Sequence, residues 1–177
     1  MARLLDLSVS DWGDSMQQLE RTRFQAWELY EEAHTAQKQG SAEKAIRLYR
    51  KSLRMHPTAE AYTFLGWSYS YQGKFNLAIQ LCRLAIQVDP DYGNPYNDIG
   101  AYMIELGCLD EAVPWLEKAL NAKRYDSYCF PWMNLGRIWE RKGQWVRTLK
   151  CYKQALSYDP KFTVAIRAVG RIRGRLN

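Results

Sequence analysis

Apolar and small residues recur at helical spacing along most of this chain. Met16, Leu19, Arg23, Trp27 and Tyr30 fall three and four residues apart and predict one long amphipathic helix reaching about Gln39. A separate short helix before Phe24 fits the same pattern. Residues 1 to about 13 read as a weakly ordered leader, with Asp11, Asp14 or Ser15 as candidate N-caps. The clearest pattern lies between Ala59 and Tyr92. Tyr62, Leu65 and Tyr69 put bulk on one face of a first helix, Gly73 follows, and Pro90 ends a second helix that it cannot continue. Gly66 and Ala78 are small where two antiparallel helices would approach closely.

That unit repeats. Tyr96, Ile99, Gly100, Gly107, Ala112 and Ala119 keep the pattern over 93–128, with Arg124 in place of the closing proline. Pro114 falls within the second helix there, where it costs little in a first turn and kinks the helix beyond it. Trp132, Leu135, Gly136, Trp139, Gly143, Tyr152, Ala155 and Pro160 keep the pattern over 129–162. Gly100 and Gly136 are 36 residues apart, so about two extra residues sit between Asn121 and Tyr128. Over 26–58 the second helix is clear, with Gly40, Ala45, Tyr49, Ser52 and Pro57; the first is degenerate, with Leu29, Glu32, Ala33 and Ala36 at its signature positions.

The spacing resembles the tetratricopeptide repeat, a helix-turn-helix unit of about 34 residues marked by a large aromatic, Leu-Gly, Tyr, spaced alanines and a closing Pro. The resemblance implies an all-α fold: a right-handed superhelix, or α-solenoid, of about four repeats (26–58, 59–92, 93–128, 129–162). A leader and helix extension (1–25) precede them. A capping helix (163–177) follows, where Ile166, Val169 and Gly170 restart the pattern without a second helix.

Composition adds exclusions. The chain has 177 residues, 47% hydrophobic and 25% charged, which suits a packed domain and excludes wholesale disorder. No apolar run approaches the roughly 20 residues needed to cross a bilayer, and the N-terminus lacks a signal-like hydrophobic region, so a soluble cytoplasmic protein with no membrane attachment is expected. Cys82, Cys108, Cys129 and Cys151 are widely spaced, and only His34 and His56 accompany them, which argues against a zinc site or a disulfide framework. The net charge is +6, of which residues 161–177 contribute +5 through Lys161, Arg167, Arg171, Arg173 and Arg175. No phosphate loop, catalytic triad or paired histidines appear; the expectation is a non-enzyme with no cofactor and no metal.

In the family, the first helices line a concave groove. Carrying the groove-facing repeat positions over places Trp27, Tyr30 and His34 there from the first repeat, and Phe64, Trp67 and Tyr71 from the second. Asn97 and Asp98 follow from the third, Asn134 and Arg137 from the fourth, and Arg167 and Arg171 from the cap. The N-terminal half of the groove is thus aromatic, and either anchors an apolar segment of a partner or is covered by the long N-terminal helix. The C-terminal half is basic, with Arg167, Arg171 and Arg175 on one helix face, suited to a carboxylate. Some chaperone-binding relatives hold a carboxylate with a Lys/Asn/Asn/Lys/Arg clamp. Asn134, Arg167 and Arg171 fit its last three places, whereas Asn97 and Ala101 depart from the first two and Asp98 adds an adverse charge.

The resemblance implies an interaction module that binds a peptide segment or helix of a partner protein, as a chaperone or assembly adaptor. Two alternatives stay open. One is RNA binding through the basic C-terminal helix and the 121–128 loop, where Lys123 and Arg124 interleave with Tyr125 and Tyr128. The other is a self-associating scaffold, a homo-oligomer packed through the cap or the aromatic groove.

Overall fold

The computed structural model describes residues 9–176. Among them the chain runs through α1 (Val9–Lys38), α2 (Ala42–Met55), α3 (Ala59–Ser70), α4 (Phe75–Val88), α5 (Asn94–Glu105), α6 (Leu109–Asn121), α7 (Cys129–Arg141), α8 (Trp145–Tyr158) and α9 (Thr163–Leu176). Each odd-numbered helix up to α7 packs most extensively on the even-numbered helix that follows it, and each pair then meets the next. This is an all-α repeat solenoid, in which each unit buries its apolar face against its neighbours in sequence.

The N-terminus differs from expectation. Residues 9–13, placed in the leader, are helical, and the leader's first eight residues lie outside the described ones. Asp11, Asp14 and Ser15 fall inside α1, past its first residue. Among the described residues no separate helix precedes Phe24: α1 runs unbroken through it, with no proline between Val9 and Lys38 to stop it.

Each pair turns on a glycine. At Gly73 (φ 71°) the Lys74 N–H reaches back to the Tyr69 carbonyl at 3.1 Å and the Gly73 N–H to that of Ser70 at 2.9 Å, closing α3 with its last carbonyls satisfied. Within the pairs, a small residue on the first helix faces a variable one on the second. A Cβ on Gly136 would overlap the buried Tyr152 ring, whereas one on Gly66 would lie 3.1 Å from the Ala78 carbonyl and 3.5 Å from Cys82 Sγ. Pro114 lies in the second turn of α6, past the turn that lacks donors anyway, so the Asp110 carbonyl has no in-helix donor.

The insertion between α6 and α7 is pinned across the junction of the second and third repeats. Arg124 forms a parallel bridge with Tyr92, its N–H donating to the Asp91 carbonyl at 2.9 Å and its carbonyl accepting from Gly93 N–H at 3.1 Å. Tyr125 packs so closely on Gly93 that no side chain would fit there. Tyr128 meets Tyr125 at 5.5 Å and Tyr158 at 5.2 Å between ring centres. At the far end, α9 buries Ala165, Ala168, Val169 and Ile172 and leaves Ile166 and Gly170 exposed.

Candidate functional site

The first helices α1, α3, α5 and α7 stand next to one another, so residues far apart in sequence share one face. On its N-terminal half, rings form a continuous run. Tyr30 and His34 on α1 meet Phe64 on α3 at 5.9 and 4.8 Å; Phe64 meets Trp67 at 5.8 Å, and Trp67 meets Tyr71 at 5.6 Å. Trp67 is 40% and Tyr71 69% exposed, so α1 does not fold over them. They flank an apolar cleft of about 460 Å³ that also takes in His34, Gln37 and Lys38. Phe64 is different: half-buried, it also stacks on the fully buried Tyr49 and belongs to the core between α1 and α3. Trp27 leaves the run; it pairs with Phe24 at 5.9 Å and lines a separate cleft with Arg23 and Ser52. Burial, then Glu31 and Glu60, pushes the Tyr30 hydroxyl up to about 12. Burial, then Lys38, holds the His34 imidazole below its usual range.

The C-terminal half is polar, and most of its groove arginines are already engaged. Arg171 grips Glu140 with Nε at 3.0 Å and Nη2 at 2.8 and 2.9 Å, while the Tyr152 hydroxyl donates to the same carboxylate at 2.5 Å. These bonds outweigh the upward effect of burial and hold Glu140 below the usual carboxylate range. Arg137 pairs with Glu105, and Arg141 donates to the Ile104 carbonyl at 2.5 Å. Arg175 sits over the Trp145 ring, 5.0 Å from its centre. The expected guanidinium row of Arg167, Arg171 and Arg175 is therefore divided among separate tasks. All three are exposed, and of them only Arg167 has neither an ion pair nor a ring contact among the described residues.

Between the two halves runs a polar relay that sequence reasoning missed. Arg137 Nη1 donates to Asn134 Oδ1 (3.1 Å), Asn134 Nδ2 to Asn97 Oδ1 (3.0 Å), and Asn97 Nδ2 to Asp98 Oδ1 (3.3 Å). Burial raises Asp98 to about 7, and no ion pair to it occurs among the described residues. Its adverse charge was legible in the sequence; its isolation was not. A second missed feature had a signal: Tyr49 donates to Gln37 and Tyr152 to Glu140, each twelve residues back, at equivalent places in the first and fourth repeats.

The loop cations are also occupied. Lys123 pairs with Asp91 at 3.2 Å, and Arg124 with Glu60 and Asp89, each at 2.6 Å, beneath which the Tyr92 ring lies 4.2 Å away. All four cysteines are free, and burial pushes the thiols of Cys82, Cys129 and Cys151 up, the last to about 11, away from the thiolate a nucleophile needs. Among the described residues no three His, Cys, Asp or Glu side chains converge as metal ligands, and no helix is long and apolar enough to cross a membrane.

The repeat at 59–92, whose Gly66 meets α4 and whose Gly73 closes α3, matches the family model described as tetratricopeptide repeat over those residues. Residues 59–92 are a tetratricopeptide repeat. It is 24% identical over 137 residues to tetratricopeptide repeat protein 8 of Caenorhabditis elegans, a match covering 77% of this chain and 27% of that protein. The chain thus spans about a quarter of the length of the curated relatives it matches. Among solved structures it is similar to pilF of Pseudomonas aeruginosa, with a TM-score of 0.79 at 18% identity, covering 89% of this chain and 70% of that one. It is also similar to YrrB, described as a tetratricopeptide-repeat protein with an unusual peptide-binding site, with a TM-score of 0.64 at 18% identity, covering 90% and 82%. At these identities the structural likeness carries the fold. In this helical-repeat array the face shared by the first helices is aromatic and open at one end, polar and internally paired at the other.

Proposed function

We propose that the chain is a non-enzymatic interaction module that holds a peptide segment or helix of a partner protein against the face lined by α1, α3, α5 and α7. The observation that carries this reading is the open run from His34 through Phe64 to Trp67 and Tyr71 beside the 460 Å³ cleft. Large rings left uncovered at a cleft cost free energy in water and serve as anchors when a partner covers them. The peptide-binding neighbour YrrB supports the same reading. A role as chaperone or assembly adaptor fits an aromatic anchor that accepts an extended apolar segment. We place the module in the cytoplasm, where its free and exposed Cys108 would stay reduced.

The test is to pan a random displayed peptide library against the whole chain and against a Trp67→Ala, Tyr71→Ala variant. Peptides recovered on the native chain should bind the variant at least tenfold more weakly, while the melting temperature changes little because both rings are substantially exposed. Recovery of no peptide, or of peptides indifferent to the two rings, would overturn the reading.

A further inference from the structure

A second cleft, of about 390 Å³, opens in the same face between α3, α5 and α7, lined by Phe64, Trp67 and Phe130 and by Asn97, Asp98 and Asn134. Its chemistry is asymmetric. The only charge among those six residues is the Asp98 carboxylate, whose one side-chain hydrogen bond among the described residues is the 3.3 Å contact from Asn97. The cations on neighbouring elements are held elsewhere: Arg137 of α7 by Glu105 and Asn134, and Arg124 of the loop by Glu60 and Asp89. The titratable groups that feel Asp98 are Cys82 on α4, Tyr92 before α5, Tyr102 on α5 and Tyr125 in the loop, all held in their neutral forms by burial first. A desolvated carboxylate without a counter-charge is unfavourable in the free protein, and a bound cation removes that cost.

Resting on the peptide-binding reading above, we infer that this cleft takes the Lys or Arg side chain of the bound segment, its charged head pairing with Asp98 and its methylenes packing on Phe64, Trp67 and Phe130. The aromatic lining suits both parts of such a side chain, since its stem is apolar and its head is attracted to ring faces. Acidic and uncharged segments are disfavoured, because they cover the half-buried Asp98 without a counter-charge or bring a like charge against it.

The same displayed library decides this separately. Peptides whose binding depends on Trp67 and Tyr71 should be enriched in Lys or Arg at one fixed position on the native chain, and panning on Asp98→Asn should lose that enrichment. A recovered peptide with its cation replaced by Met should bind the native chain roughly tenfold more weakly and the Asp98→Asn chain no more weakly than its parent does. The cationic parent peptide's affinity for the native chain should also rise from pH 6 to pH 8, as Asp98 ionises, and be flatter on Asp98→Asn. Ring-dependent peptides with no cation preference, or with one indifferent to Asp98→Asn, would overturn the inference and leave the groove reading standing. Peptides independent of the rings, or none at all, would overturn both.

Discussion

Glu140 and Asp98 lie on the same face of the solenoid and have opposite fates. Glu140 is surrounded by donors, two from Arg171 and one from Tyr152, and is held below the ordinary carboxylate range. Asp98, one repeat nearer the N-terminus, has a single long contact from Asn97 and is raised to about 7. The same contrast separates the two ends of the face. At the C-terminal end polar groups satisfy one another and lock α7, α8 and α9 together. Toward the N-terminal end the rings of Trp67 and Tyr71 and the Asp98 carboxylate are left with unmet interactions. Satisfied groups hold the array in shape, and unsatisfied ones are where a partner gains most.

The contrast breaks most severely at the glycines facing α4 and α8. Replacing either by Ala gains up to about 1 kcal/mol of helix propensity. At Gly136 the new methyl overlaps Tyr152, whose ring is fully buried and whose hydroxyl is tied to Glu140, so it cannot step aside cheaply. Gly136→Ala should destabilise the chain by about 2 kcal/mol or more. At Gly66 the nearest atoms are at 3.1 and 3.5 Å, and the smaller Cys82 stands where Tyr152 does in the fourth repeat, so Gly66→Ala should stay within about 1 kcal/mol of the native chain. Urea denaturation of the two variants checks this, and equal losses would show that the two ends are packed alike.

The repeat fold was legible because each signature residue enforces one contact: Gly73 closes a helix, and Gly66, Gly100 and Gly136 let paired helices touch. The rings were legible as residues on positions the signature leaves free. Their division was not. Phe64 is partly core because α1 runs beside α3, and Trp27 turns aside to Phe24, neither of which follows from repeat position. The arginines misled for a related reason. Four-residue spacing put Arg167, Arg171 and Arg175 on one helix face, but which carboxylate or ring each meets depends on how α9 sits against α7 and α8, some thirty residues away in sequence. The basic loop misled in the same way: its acids Glu60, Asp89 and Asp91 lie in an earlier repeat.

A smaller effect is expected where the C-terminal pairing is removed. Glu140→Ala leaves the buried Tyr152 hydroxyl without an acceptor and Arg171 without its carboxylate, and should cost about 1–3 kcal/mol at pH 7. Glu140→Gln keeps an acceptor and should cost less. Because Glu140 titrates lower in the folded chain than its ordinary value of 4.5, its stabilisation is present above that pH and is lost as pH falls through the folded value. The gap between the native chain and Glu140→Gln should therefore narrow in thermal melts as pH falls below 4.5 and close once pH has passed through the folded value. A gap that does not change with pH would mean that the charge contributes nothing and only packing matters.

Asp98 reverses that sign, with the smallest effect. Its folded value, near 7, lies above its ordinary 3.8, so the folded chain holds the proton more tightly than the unfolded one and stability falls as pH rises between the two. Asp98→Asn removes the ionisation while keeping an amide of the same shape against Asn97. With the side chain only half-buried, solvent tempers the cost, and the variant should be more stable than the native chain by on the order of 1 kcal/mol at pH 8. At pH 4 the two should melt together, since the native carboxyl is then protonated when folded. A native chain that is the more stable of the two at pH 8 would mean that Asp98 already has a counter-charge within the fold, and the unmet interaction that separates this end of the face from the Glu140 end would be gone.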